Sequence, residues 1–100
     1  MKTKINTEVV EVNDTTVKLQ SKPDNEAVNG WSVIAYLPDF SIRSKALHNR
    51  VKLDRFIMTI IIAAGYHFHE LVDDDSRVAD QAERDIDDLK AACKRLMPTL

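Results

Sequence analysis

Apolar and polar residues alternate from early in the chain. Residues 4–20 read KINTEVVEVNDTTVKLQ, rich in Val, Thr and Ile, with polar Asn13-Asp14 in the middle. A two-residue turn at Asn13-Asp14 sets Val12 opposite Thr15, Val10 opposite Val17 and Glu8 opposite Leu19, with Val9 and Lys18 on the other face beside Glu11 and Thr16. One face is then mainly apolar and the other mainly polar, which predicts a hairpin covering a core on one side. The polar run 21–30 (SKPDNEAVNG), with Pro23 and Gly30, reads as a loop. WSVIAYL, 31–37, follows as a third strand, with Trp31, Val33, Ala35 and Leu37 on one face and Ser32, Ile34 and Tyr36 on the other. Apolar groups on both faces predict a central or well-covered strand. Trp31 is of a type enriched at binding hot spots, but at the start of an apolar strand it reads as core. Pro38-Asp39 ends the strand.

Helical spacing takes over near Ser41 or Ser44, either of which suits a helix cap. Leu47, Val51, Met58 and Ile61 fall on one stripe, with Leu53, Ile57, Ile60 and Ala64 adjacent, and Gly65 is placed to stop the helix in the left-handed conformation. The β-branched residues crowded between Ile57 and Ile62 read equally as a buried strand; length and upstream spacing favour a helix over about 44–64. YHFHELV, 66–72, alternates loosely and reads as a short strand or an extended connection. A last helix over about 77–96 sets Ala79, Ala82, Ile86, Leu89, Cys93 and Leu96 at spacings of three and four, the clearest periodicity in the chain. Asp75 or Ser76 caps its start, and Lys90, Lys94 and Arg95 suit the negative end of its dipole. The pattern predicts one α+β domain over residues 1–100. An N-terminal β-hairpin and a third antiparallel strand pack against two C-terminal helices, in the order β-β-β-α-(β)-α.

Composition narrows the class. With 44% hydrophobic and 30% charged residues, the chain has the balance of a globular domain and argues against disorder. Cys93 is the only cysteine, so no internal disulfide forms, which suits a reducing compartment. Met1-Lys2-Thr3-Lys4 leads into Ile5 without the apolar segment of a signal peptide. The most apolar run, Phe56 to Ala64, is nine residues long, whereas a spanning helix needs about 20. A cytoplasmic location without a membrane partner is expected.

Catalysis has little to rest on. The only glycines are Gly30 and Gly65, so no phosphate-cradling loop is present, and neither CxxC nor HExxH occurs. Cys93 falls on the apolar stripe of the last helix, where a thiol is structural rather than nucleophilic. His67, His69 and Glu70 form the most metal-like cluster. On a strand the two imidazoles would point the same way and need a further ligand, such as His48 or one of Asp73, Asp74 and Asp75. Such spacing arises readily by chance and fits polar side chains at the end of an element. No catalytic residue, metal or cofactor is assigned, and a non-enzymatic role is expected.

Charge distribution is more telling than the net charge of −2. Residues 43–55 carry Arg43, Lys45, Arg50, Lys52 and Arg55 against Asp54 alone. Residues 73–88 carry Asp73, Asp74, Asp75, Asp80, Glu83, Asp85, Asp87 and Asp88 against Arg77 and Arg84. If the two helices pack antiparallel, the basic start of the first lies beside Lys90, Lys94 and Arg95, and the molecule gains a basic pole and an acidic pole. Solvated faces explain either pole alone, and Asp80 with Arg84, Arg84 with Asp88 and Asp87 with Lys90 read as ordinary helix-surface pairs. The leading expectation is a small non-catalytic protein-binding module, an inhibitor, adaptor or regulator of the kind found as a bacterial or phage accessory protein. It would dock on a larger basic or nucleic-acid-binding protein through Asp73, Asp74, Asp75, Asp80, Glu83 and Asp87, whose carboxylates would steer association or stand in for phosphates. The alternative is a nucleic-acid-binding regulator using Lys45, His48, Lys52 and Arg55, which recur at helical spacing. Against it stand an isoelectric point near 5.9 and a connection too long for a helix-turn-helix. So small a core also leaves room for a homodimer, although packing within the domain accounts for Ala82, Ile86, Leu89, Cys93 and Leu96.

Overall fold

Strand β1 (Thr7–Val12) and strand β2 (Thr15–Pro23) form the hairpin in the register the alternation predicts: Val12 opposite Thr15, Val10 opposite Val17, Glu8 opposite Leu19. Asn13 and Asp14 both hold positive φ, 50° and 60°, the backbone of a turn whose twist matches that of the strands it joins. The computed structural model describes residues 7–27, 30–71 and 77–97. Strand β3 (Trp31–Tyr36) pairs antiparallel with β2, setting Leu19 opposite Ala35 and Ser21 opposite Val33. Trp31 lies opposite Pro23 and is half-buried rather than part of the core.

A fourth strand replaces the expected start of the first helix. Ser41–Ser44, here β4, folds back after the Pro38-Asp39 turn and pairs antiparallel with β3, Ile42 opposite Ala35 and Ser44 opposite Val33. The reason lies in β3, whose Val33, Ile34 and Ala35 are all buried. Such a strand is badly suited to a sheet edge, where its backbone groups would be left unpaired. β4 pairs that edge and takes the edge position itself. The sheet is a four-stranded meander in the order β1-β2-β3-β4.

Helix α1 (Arg50–Ala63) therefore starts at residue 50, not 44, and its cap is Asn49 rather than a serine. The Asn49 side-chain oxygen accepts from the backbone N–H of Val51 at 3.0 Å and of Lys52 at 3.2 Å. Its end matches expectation: Gly65 holds φ 108°, its N–H donates to Ile62 O, and the Tyr66 N–H donates to Ile61 O. These are the two bonds that close a helix around a left-handed residue. The segment 66–72 is not extended: Phe68–Leu71 forms a single helical turn, α2. Helix α3 (Arg77–Leu96) spans the predicted residues; the proposed caps Asp75 and Ser76 lie outside the described residues.

Both long helices lie on one side of the sheet, α3 against β1 and β2, α1 beside β4 and against α3. Val10, Val12, Val17, Leu19, Val33 and Ala35 project toward them and meet Phe56, Ile57, Ile60, Ile61, Leu89 and Leu96 in one core. The buried face of α1 is thus the stripe through Leu53, Ile57, Ile60 and Ala64, with Phe56 and Ile61, while Val51 and Met58 are left out of it. No helix among the described residues is long and apolar enough to cross a membrane.

Candidate docking face on the helical layer

α1 carries more apolar side chains than one buried stripe can use. Leu53, Phe56, Ile57, Ile60 and Ile61 turn into the core, so Val51, Arg55, Met58 and Ile62, spaced by four, three and four, line the opposite side of the helix. Val51 is 65% exposed and Ile62 44%. α2 adds Phe68, 67% exposed. Between them opens a groove of about 550 Å³ lined by Arg55, Met58, Thr59, Ile62, Ala63 and Phe68. Sequence reading missed this patch because it assigned Val51 and Met58 to the core. The signal it had was a helix apolar over too much of its circumference.

α3 places its charge on the same outward side. Asp80, Glu83 and Asp87, at i, i+3 and i+7, are exposed opposite the buried Ala82, Leu89, Cys93 and Leu96. None of the three forms an ion pair among the described residues, in contrast to carboxylates elsewhere. Glu8 accepts from Arg95 at 2.6 Å, Glu26 pairs with Lys45 at 2.6 Å, Asp24 lies 3.8 Å from Arg43, and Asp54 of α1 lies 3.7 Å from Lys90 of α3. The Asp54–Lys90 contact marks the antiparallel seam between the two helices and takes Lys90 away from Asp87; the expected pairs of Arg84 with Asp80 and Asp88 do not form. Asp73, Asp74 and Asp75 lie outside the described residues.

The basic residues are less coherent than their spacing suggests. Lys45 and His48 precede α1, so the shared helical face reduces to Lys52 and Arg55. Lys45 is engaged by Glu26, whose carboxylate pushes its ammonium pKa up. Lys52 and Arg55 are exposed and form no ion pair among the described residues.

The one deeply buried carboxylate among the described residues is structural in its contacts. Asp85 is 3% exposed and accepts three hydrogen bonds: from Tyr66 Oη at 2.5 Å, from the Asn13 backbone N–H at 3.1 Å, and from Gln81 Nε2 at 3.2 Å. Asn13 Nδ2 donates in turn to the Ala64 carbonyl at 2.9 Å. The hairpin turn, the end of α1 and the middle of α3 meet at this node. Burial, with the Asp85 carboxylate alongside, raises the Tyr66 pKa well above its ordinary value.

His67 and His69 are exposed, their rings stacked with centroids 5.7 Å apart. The Glu70 side chain lies outside the described residues, and among those described no three metal-ligating side chains converge. Cys93 is fully buried, and desolvation pushes its thiol pKa up to about 12, as expected of a structural cysteine rather than a nucleophile. Comparison with known protein families, characterised proteins and solved structures finds no match to this chain, so its function is argued from these residues alone.

Proposed function

We propose that this protein is a non-catalytic protein-binding module that docks through the outward side of its helical layer on a larger partner presenting apolar and basic groups. The stripe of exposed Val51 and Ile62 with half-buried Met58, flanked by exposed Phe68 and opening into a groove, supports the reading. These side chains lie outside the buried core, and docking interfaces are built as an apolar centre with a polar rim. Asp80, Glu83 and Asp87 form that rim on α3. Without an ion pair among the described residues, they raise the association rate of a basic partner by their summed field rather than by individual bonds. A protein that itself binds nucleic acid is the natural class of partner, its basic surface meeting carboxylates in place of phosphates.

The test is a tagged pull-down from the native host lysate with and without nuclease treatment, with wild type beside two variants. One is Ile62→Asp with Phe68→Asp; the other reverses Asp80, Glu83 and Asp87 to Lys. Circular dichroism confirms that each folds. The expected result is a stoichiometric protein that survives nuclease, is lost with the first variant, and associates more slowly and with weaker salt dependence with the second. Partners that vanish with nuclease would turn the reading toward nucleic acid and Lys52 and Arg55. Binding unchanged in both variants would sink the proposed face.

A further inference from the structure

One wall of the groove hangs on a single short element. Arg55, Met58, Thr59, Ile62 and Ala63 all belong to α1, and the remaining lining residue, Phe68, is the first residue of α2. The groove therefore keeps its shape only while α2 stays in place. A helix of four residues has no stability of its own, because a first turn fixes more backbone than its hydrogen bonds repay. Burial does little for it: His67, Phe68 and His69 are exposed, and among the described side chains of α2 only Leu71 packs partly against the core. The firmly held neighbour is Tyr66, 3% exposed, whose hydroxyl donates to Asp85 Oδ2 at 2.5 Å. That same oxygen accepts the Asn13 N–H, and the Asn13 side chain holds the Ala64 carbonyl. The link between α1 and α2 is thus gripped both by α3 and by the hairpin turn.

We propose that Asp85 is the latch of the docking face: through Tyr66 it holds α2, and with it Phe68, against α1, and through Asn13 it makes the hairpin turn a control point for a groove that the turn does not line. With the latch shut, Phe68 walls the groove. When the Tyr66 hydroxyl leaves Asp85, α2 opens as a local unit and the groove loses that wall, while the sheet and the two long helices keep their core. Asn13 and Asp14 are exposed, so a contact made at the turn is felt at Phe68. The inference rests on the groove being part of a docking face and concerns how that face is regulated. Asp85 and Tyr66 act on it as positioning residues, since neither lines the groove.

Amide hydrogen exchange of the full chain, followed residue by residue by NMR, tests the latch. Leu89 and Cys93, fully buried on α3, report opening of the whole core; Gly65, residue 66 and α2 report the latch. Tyr66→Phe removes only the hydroxyl and is expected to speed exchange at the latch roughly tenfold relative to Leu89 and Cys93, the effect of one lost hydrogen bond. Asn13→Gly keeps the positive φ and the N–H but loses the bond to Ala64, and should act in the same direction. Asp85→Asn is expected to stay near wild type. Its carbonyl oxygen can take the place of Oδ2, and the exposed Gln81 can turn its amide over to accept from the new NH2 group. Exchange at the latch that is unchanged in Tyr66→Phe, or that rises only in step with Leu89 and Cys93, would overturn the proposal. A response to Tyr66→Phe but none to Asn13→Gly would remove the hairpin turn from it. None of these readouts involves a partner. The latch can therefore fail while Ile62 and Phe68 still capture one, and the docking face can fail in the pull-down while the latch holds.

Discussion

At the scale of single residues, Asp85 decides how the pieces meet. A buried carboxylate survives only with its oxygens satisfied, and its three donors come from the hairpin turn, the residue after Gly65 and one turn back on α3. Tyr66 supplies the shortest of them, and its raised pKa makes the arrangement pH-dependent in one direction. The unfolded phenol ionises near pH 10.0, while the folded one stays protonated well above that. Its contribution to stability is therefore complete below pH 10.0 and is lost as the pH rises beyond it, because the unfolded chain releases a proton that the folded chain keeps. Urea midpoints of wild type and Tyr66→Phe at about pH 8 and about pH 11 check this. The wild type should be the more stable at the lower pH, and its advantage should shrink at the higher. Ser21 shows the opposite economy: its hydroxyl is 1% exposed on the core face of β2 and has no hydrogen-bond partner among the described residues.

At the scale of elements, the stop of α1 matters as much as its start. Gly65 is in the left-handed region, and a Cβ there would lie 2.9 Å from Asn13 Nδ2, the atom that bonds the Ala64 carbonyl. Gly65→Ala would add backbone strain and push the turn of the hairpin off the helix end. A loss of roughly 1–3 kcal/mol is expected, measured by urea unfolding; a loss within a few tenths would show that the contact is soft. The hairpin, α3 and this helix stop were legible in the sequence because each is set by local chemistry. Asn13-Asp14 tolerates positive φ, Gly65 does so without strain, and α3 repeats its apolar residues at a spacing only a helix satisfies. β4 and α2 were not legible. SIRS is too short to declare a strand by itself, and it becomes one because β3 offers it an edge; FHEL is a single turn with no periodicity to read.

At the scale of the whole molecule, the sheet covers one side of the helices and leaves the other to solvent, so burial divides sharply between α1's two faces. Cys93 reports on the closed side. Its thiol is fully buried and its pKa raised to about 12, so alkylation requires the core between α3 and the sheet to open. The rate of labelling by iodoacetamide at neutral pH should fall with added stability and rise in Gly65→Ala in proportion to its unfolding equilibrium. Labelling as fast as a free thiol in the native protein would mean that α3 detaches locally.

The sequence by itself determined the class of fold, the register of the hairpin, the extent of α3, the end of α1 and the burial of Cys93, since alternation, helical period and left-handed residues act over a few neighbours. It also determined that acidic and basic residues fall in separate stretches. Tertiary structure decided which apolar side chains of α1 are core. The choice between the stripe through Ile57 and Ile60 and the one through Val51 and Met58 depends on where the helix begins and on which side the sheet lies. Both follow from β3 demanding a neighbour and from Asn49 capping the helix only after that neighbour is made. The docking face is what that choice left uncovered, and no pattern along the chain could locate it without the sheet.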